Sequence, residues 1–371
     1  MSEREEKLEL DCRKTVLVTG GAGFIGSHLI ILLAARYPLW RIINIDSLQY
    51  CSSLKNLECL KNTSTYKFIQ GDICDQYFTN HLFSTENIDI VFHCAAQSHV
   101  DNSFLYPSQF MHVNAEGTHV VLRAAFEAGV ERFIYVSTDE VYGDSLDKEF
   151  DELSPKKPTN PYSASKAVAE NIVLSYWEKH KFPILITRSS NVYGPRQYHE
   201  KVIPKFLLLL QQDQKCTIQG TGLQSRHFLH VDDVTDALLI LMEQGVLGEI
   251  YNIGANFEIP IIHLARELVQ LVKNASTDDL DNWLLFVEDR PVSDLRYPMI
   301  SDKMHKLGWK PKVPWKEGIR RTIKWYEENA GYWPVVTEKK HQGAPLTVTH
   351  HSLHSETAKN TFSKSFLSTK L

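Results

Sequence analysis

Six short runs, rich in β-branched and aromatic residues, punctuate the chain between Thr15 and Ser190: TVLVT (15–19), RIINID (41–46), YKFIQ (66–70), DIVFHCAA (89–96), RFIYVST (132–138) and PILITRSS (183–190). A strand with one wet face alternates apolar and polar residues. Runs that stay apolar, separated by helical stretches, belong instead to a parallel sheet buried on both faces. Helices are expected over Phe24–Arg36, Pro107–Ala128 and Pro161–His180, where Pro161 suits a first-turn position. The spacing therefore predicts an α/β fold with a doubly wound parallel sheet. After Ser190 the rhythm changes: short strands near 217–220, 227–231 and 250–254 and helices near 234–242 and 261–272 predict a smaller C-terminal α/β lobe. The expected divisions are 14–190, 191–335 and a polar, aperiodic tail over 336–371, which reads as disordered.

With 43% apolar and 23% charged residues in 371, the chain has the composition of a folded globular protein. Forty Lys and Arg against 45 Asp and Glu leave a formal charge of −5. That balance gives no electrostatic reason to expect nucleic acid or an anionic membrane as partner. The longest apolar stretches, 206–210 and 237–242, fall far short of the roughly 18 residues needed to span a bilayer. The first residues are charged and carry neither a secretory core nor an Arg/Ser bias, so a cytoplasmic protein is expected. Its six cysteines lack metal-ligand or CxxC spacing and read as reduced thiols, and no metal site is expected.

The first run leads directly into Gly20-Gly21-Ala22-Gly23-Phe24-Ile25-Gly26 and then an apolar helix. Glycines at such a turn let backbone N–H groups approach a pyrophosphate, and the helix N-terminus adds partial positive charge. Asp46, at the end of the second run, is placed to accept hydrogen bonds from an adenosine ribose and to repel a 2′-phosphate, which favours NAD over NADP. Two other strand ends share the expected cleft: Asp72 and Ile73 after the third run, with Asp72 suited to an adenine amino group, and Ala95 and Ala96 after the fourth. The expected cofactor site is thus Gly20, Gly23, Phe24, Ile25, Gly26, Asp46, Asp72, Ile73, Ala95 and Ala96, joined by Tyr162 and Lys166.

Tyr162 and Lys166 stand four apart on one face of the predicted helix. An ammonium and a cationic nicotinamide near the phenol would favour its phenolate, a usable base for an alcohol proton. Thr138, ending the fifth run, can hydrogen-bond the same alcohol.

The Gly loop, the Tyr162/Lys166 pair and the segment Thr138-Asp139-Glu140-Val141-Tyr142-Gly143 together resemble the extended short-chain dehydrogenase/reductases, with their Rossmann sheet, and within them the nucleotide-sugar 4,6-dehydratases. The resemblance spans roughly residues 14 to 333. It implies NAD-dependent oxidation at C4 of a nucleotide-activated glucose, elimination of water across C5 and C6, and return of the hydride to C6. Asp139 is then the general acid for the C6 hydroxyl and Glu140 the base for the C5 hydrogen; adjacent carboxyls in unlike environments can divide these roles. The implied catalytic set is Thr138, Asp139, Glu140, Tyr162 and Lys166. The implied substrate contacts are Ser98, Thr138, Asn191, Lys201, Arg226 and Arg290, with 191–335 as the sugar-nucleotide lobe; placed cations of this kind are what a net acidic chain needs to hold a diphosphate. A homodimer through the helices near 107–128 and 161–180 is also implied.

Gln97, Val192, the pair at 292–293 and the segment at 227–230 depart from the pattern of bacterial dTDP-glucose dehydratases. Residues 95–104 look closer to the dehydratase domain of plant rhamnose synthases, so dTDP-glucose and UDP-glucose both stand as substrates at this point. The alternatives are a UDP-sugar epimerase or decarboxylase of the same superfamily, and a non-catalytic protein that binds NAD(H) or sugar nucleotides. Neither reaction needs the Asp139/Glu140 pair.

Overall fold

A computed structural model describes residues 13–292 and 294–333. The expected disordered tail and Cys12 lie outside the described residues. Seven parallel strands form the main sheet: β1 (Thr15–Thr19), β2 (Arg41–Asp46), β3 (Tyr66–Gln70), β4 (Ile90–His93), β5 (Arg132–Thr138), β6 (Ile184–Ser189) and β10 (Ile250–Ile253), in the order β10-β6-β5-β4-β1-β2-β3. The side chains of β1 show why its run is apolar throughout. Val16 and Val18 enter one core with Leu29, Leu33 and Phe92, while Leu17 enters the opposite core with Ile43, Val91 and Phe133. Both faces are covered by helices, so polar alternation has no place.

Two expectations about this layer change. The strand near 250–254, assigned from its rhythm to the smaller lobe, pairs in parallel with β6 (Ile250 beside Ile186, Ile253 beside Ser189) and completes the main sheet. The helix expected over Pro107–Ala128 is interrupted: helical turns at Pro107–Met111 and Thr118–Glu127 flank a π turn at His112–Gly117. The inserted turn lets Asn114 reach sideways, where its Oδ1 accepts from Gln97 N (2.7 Å) and its Nδ2 donates to Gln97 O and Ser165 Oγ (2.9 Å each). Such bulges commonly mark functional regions.

The remaining strands are short. β7 (Asn191–Tyr193), β9 (Ser225–His230) and β11 (Glu258–Pro260) form one small sheet, and β8 (Cys216–Gln219) pairs with β12 (Leu284–Val287). They pack with the helices Val202–Gln211, Ile261–Lys273 and Trp315–Glu328 around a third core that includes Leu210, Ile218, Leu268 and Tyr326. No described helix is long and apolar enough to cross a membrane, and Cys51, Cys59, Cys74, Cys94 and Cys216 are free thiols.

Candidate active site

At the carboxyl end of β1 the chain turns at Gly20, whose φ of +66° places it in the left-handed region. A Cβ there would stand 2.7 Å from Ala95 Cα, and one on Gly26 would stand 2.5 Å from Gly20 O. The turn, the end of β4 and the following helix therefore meet backbone to backbone. The helix Phe24–Arg36 has no side-chain cap, and its first intrahelical bond is from Ser27 N to Gly23 O (3.1 Å). The amides of Phe24, Ile25 and Gly26 thus precede the helical ladder, at the positive end of its dipole. Asp46 Oδ2 accepts from Ala22 N (3.1 Å) and Oδ1 from Leu48 N (2.8 Å). Burial raises its pKa, and these bonds oppose the rise. Asp72 is exposed and caps Cys74 N (2.9 Å), Ile73 is buried, and Ala95 N donates to Thr19 Oγ1 (3.1 Å). A bare helix N-terminus, two glycines with no room for a Cβ and a carboxyl at the next strand end fit a dinucleotide.

Beyond β5 the chain passes into a single tight turn, Asp139–Tyr142. Thr138 Oγ1 accepts from Glu140 N (3.3 Å) and donates to Asp139 Oδ1 (3.1 Å). Asp139 is 2% exposed, and its Oδ2 has no hydrogen-bond partner among the described residues. Burial and then the neighbouring Glu140 charge push its pKa up to about 8, so it keeps its proton at neutral pH. Half-buried Glu140 instead accepts from Asn160 Nδ2 (2.9 Å). The same Asn160 caps the helix Pro161–His180 through Ser163 N (2.8 Å), in a reciprocal box with Ser163 Oγ, so one amide fixes both the carboxylate and the helix that carries Tyr162.

Lys166 is buried one turn after Tyr162. Its Nζ donates to Val136 O (2.6 Å) and lies 4.3 Å from the centre of the Tyr135 ring. Burial pushes its pKa down to about 8. Burial, Glu140 and Asp139 raise the Tyr162 pKa, opposed by a hydrogen bond with Thr138. One turn further, Glu170 takes two bonds from Arg188 of β6 (3.0 and 2.7 Å), with Lys156 Nζ at 3.3 Å, and this buried pair ties the helix to the sheet.

Of the expected substrate contacts, Thr138 ends one strand of the main sheet and Ser98 follows another, whereas Asn191, Lys201, Arg226 and Arg290 come from the chain after β6. Asn191 Nδ2 is buried without a hydrogen-bond partner among the described residues. Lys201 Nζ donates to Ser98 O (2.5 Å) and lies 3.4 Å from Glu200. Arg226 donates to Ser225 O (2.7 Å) and sits 4.9 Å above the Tyr297 ring. Arg290 Nε is 2.5 Å from Asp101 Oδ1. Every residue expected at the cofactor, catalytic and substrate positions lines one cleft of about 430 Å³. Three residues that shape the site, Asn160, Asn114 and Glu200, are not among those expected from the sequence. Asn160 carried a signal, an N-cap residue directly before proline. Glu200 carried none: its carboxylate accepts from Tyr50 Oη (2.6 Å), and although burial raises its pKa, Lys201, His99 and Tyr50 outweigh that and hold it low.

Residues 17–322 match the family model described as GDP-mannose 4,6 dehydratase. The chain is 62% identical over 321 residues to the dTDP-D-glucose 4,6-dehydratase of Bos taurus, covering 86% of this chain and 90% of that one. It is 42% identical over 328 residues to a trifunctional UDP-glucose 4,6-dehydratase, 3,5-epimerase and reductase of Arabidopsis thaliana, covering 87% of this chain and 49% of that one. Among solved structures, the dTDP-glucose 4,6-dehydratase of Streptomyces venezuelae, determined with NAD bound, superposes with a TM-score of 0.82 at 37% identity, covering 86% of this chain and 98% of that one. With a shared fold, a matching family model and these identities, the chain belongs to the nucleotide-sugar 4,6-dehydratases of the short-chain dehydrogenase/reductase superfamily.

Proposed function

We propose that this protein is an NAD-dependent dTDP-D-glucose 4,6-dehydratase, a hydro-lyase that releases water and the 4-keto-6-deoxy sugar nucleotide. The observation that carries the reading is the Asp139–Glu140 pair beside Tyr162: one carboxyl holds its proton to about pH 8 while its neighbour is a hydrogen-bond acceptor held by Asn160. An epimerase has no use for two such groups at this place. The Gly20–Gly26 loop and Asp46 would hold the cofactor. When bound, NAD supplies the hydride acceptor for C4, the hydride later delivered to C6, and a positive charge that favours loss of the Tyr162 proton.

The chain's own groups do the rest. Tyr162 takes the C4 hydroxyl proton. Glu140 takes the C5 hydrogen as a proton once C4 is a ketone and gives a proton back to C5 when C6 has received its hydride, which restores the carboxylate. Asp139 gives its proton to the departing C6 hydroxyl, which leaves as water. Arg226, Arg290 and Lys201 offer cations for the diphosphate, and Asn191 an unused amide donor. The 62% identity to a dTDP-glucose enzyme, against 42% to a UDP-glucose one, favours thymidine. Mass spectrometry of the purified protein with competing dTDP-glucose and UDP-glucose tests the proposal. A product one water lighter, formed faster from dTDP-glucose, is expected; no such product from either would refute it.

The same proposal includes a homodimer through the helices near 107–128 and 161–180, supported by Leu105, Tyr106, Met111 and Val168, large apolar residues left exposed on or beside them. It also includes a cytoplasmic location, in keeping with the free thiols.

A further inference from the structure

Tyr332 and Trp333, which follow the helix Trp315–Glu328, reach in two directions, one to the Gly loop and the other to Tyr198 in the cleft lining. Tyr332 Oη donates to Asn56 Oδ1 (2.6 Å), and Asn56 Nδ2 donates to Ala22 O (2.9 Å). The direction is fixed by chemistry: a carbonyl only accepts, so the amide nitrogen faces Ala22 and the amide oxygen faces the hydroxyl. Asn56 is 2% exposed. Ala22 O also accepts from Ser53 N (3.0 Å), while Ala22 N donates to Asp46. The middle residue of the Gly loop is therefore pinned at both its polar atoms, on one side by the end of β2 and on the other by Ser53 and Asn56. Trp333 turns to Tyr198. Its ring meets Tyr198 edge-on (centroids 5.0 Å apart), Tyr198 lines the cleft and meets Tyr50 edge-on (5.3 Å), and Tyr50 is bonded to Glu200.

We infer that Tyr332 and Trp333 form a clasp, in which Tyr332 acts through Asn56 to hold the Ala22 carbonyl, and with it the Gly20–Gly26 loop, in the shape that retains the dinucleotide. The inference rests on the reading of this cleft as the NAD site. Retention matters to that reading, because a cofactor that left between taking up a hydride and returning it would strand an oxidised sugar. Tyr332 is thus a positioning residue, remote from the reacting atoms.

The test measures NAD+ release from the full-length protein by stopped-flow fluorescence, separately from turnover. Tyr332→Phe removes the hydroxyl and keeps the ring against Trp325 and Trp333, 4.9 and 5.1 Å away. Losing one hydrogen bond of ordinary strength should speed release about three- to tenfold, with kcat at saturating NAD+ unchanged. Asn56→Ala should speed it at least as much, and adding Tyr332→Phe to it should have no further effect. Tyr37→Phe, which removes a hydroxyl bonded to Glu243 on an exposed site, should leave release unchanged. Release from Tyr332→Phe at the unaltered rate, or an additive double variant, would overturn the clasp alone. Failure of the unaltered protein to bind NAD+ would overturn the functional reading and the clasp with it.

Discussion

The two walls of the cleft are built on opposite plans. On the sheet side, each group assigned to proton transfer is set by backbone that cannot move far: Thr138 ends a central strand, Asp139 and Glu140 occupy one tight turn, and Tyr162 and Lys166 ride a helix fastened by Asn160 at its start and by the Glu170–Arg188 pair in its middle. On the lobe side, the cations meant for the substrate are long side chains resting on local partners, Arg290 on Asp101, Arg226 on the Ser225 carbonyl and Lys201 on the Ser98 carbonyl. Proton transfer demands placement to a fraction of an ångström, whereas a diphosphate can draw flexible guanidinium groups to itself.

The largest effect should come from the rigid wall. Glu140→Gln keeps the shape and the bond from Asn160 possible but removes the proton acceptor, so dehydration should fall by roughly 10²- to 10⁴-fold while C4 oxidation persists, visible as reduced-nicotinamide absorbance. A fully active variant would remove Glu140 from the mechanism and erase the contrast between the walls. Next is the helix fastening. Glu170 and Arg188 are 0% and 2% exposed, so Glu170→Gln leaves a buried guanidinium without its counter-charge and should cost about 3–5 kcal/mol in denaturant-measured stability.

A smaller and graded effect follows from pH. Asp139 has its pKa raised from 3.8 to about 8 by burial and by Glu140. The folded chain therefore holds a proton there that the unfolded chain releases near 4, and this contribution to stability declines as pH climbs between those values. Asp139→Asn should remove that slope from a stability–pH curve. The acid function is present below about 8 and lost above it, so the dehydration rate should fall up to tenfold per pH unit on the alkaline side. Lys166, lowered to about 8 by burial, loses its charge over the same range. Following oxidation alone in Glu140→Gln separates the two, because Asp139 takes no part in that step.

What could be read from sequence cuts across the two walls. The rigid wall was legible because its groups follow strand ends and helix spacing: six apolar runs located six strands, and Tyr162 with Lys166 declared one helix face. Side-chain assignments that depend on local bonding were not. Spacing puts Lys166 one turn after Tyr162 but cannot reveal that its ammonium donates to Val136 O. The π turn was hidden because His112–Gly117 has ordinary helical residues, and only the reach of Asn114 to Gln97 makes the extra residue useful. The strand Ile250–Ile253 was misplaced because a crossover back to a distant sheet leaves no local mark. Glu200 and Asn56 belong to the same class: their partners lie 150 residues away at Tyr50 and 276 away at Tyr332.

The smallest expected effect bears on the flexible wall and can be measured as a cycle. Arg290 and Asp101 are both partly exposed, 31% and 38% by side chain, so their attraction is screened and worth about 0.2–1 kcal/mol. If Arg290 turns from Asp101 to the substrate diphosphate, that attraction is given up on binding. Asp101→Asn should then lower KM by roughly 1.5- to 5-fold with kcat unchanged. In an Arg290→Ala background the same substitution should do nothing, because the competing cation is gone. An unchanged KM in the first background, or an equal change in both, would mean that Arg290 stays with Asp101 when substrate binds, and the lobe wall would then be as fixed at this point as the sheet wall facing it.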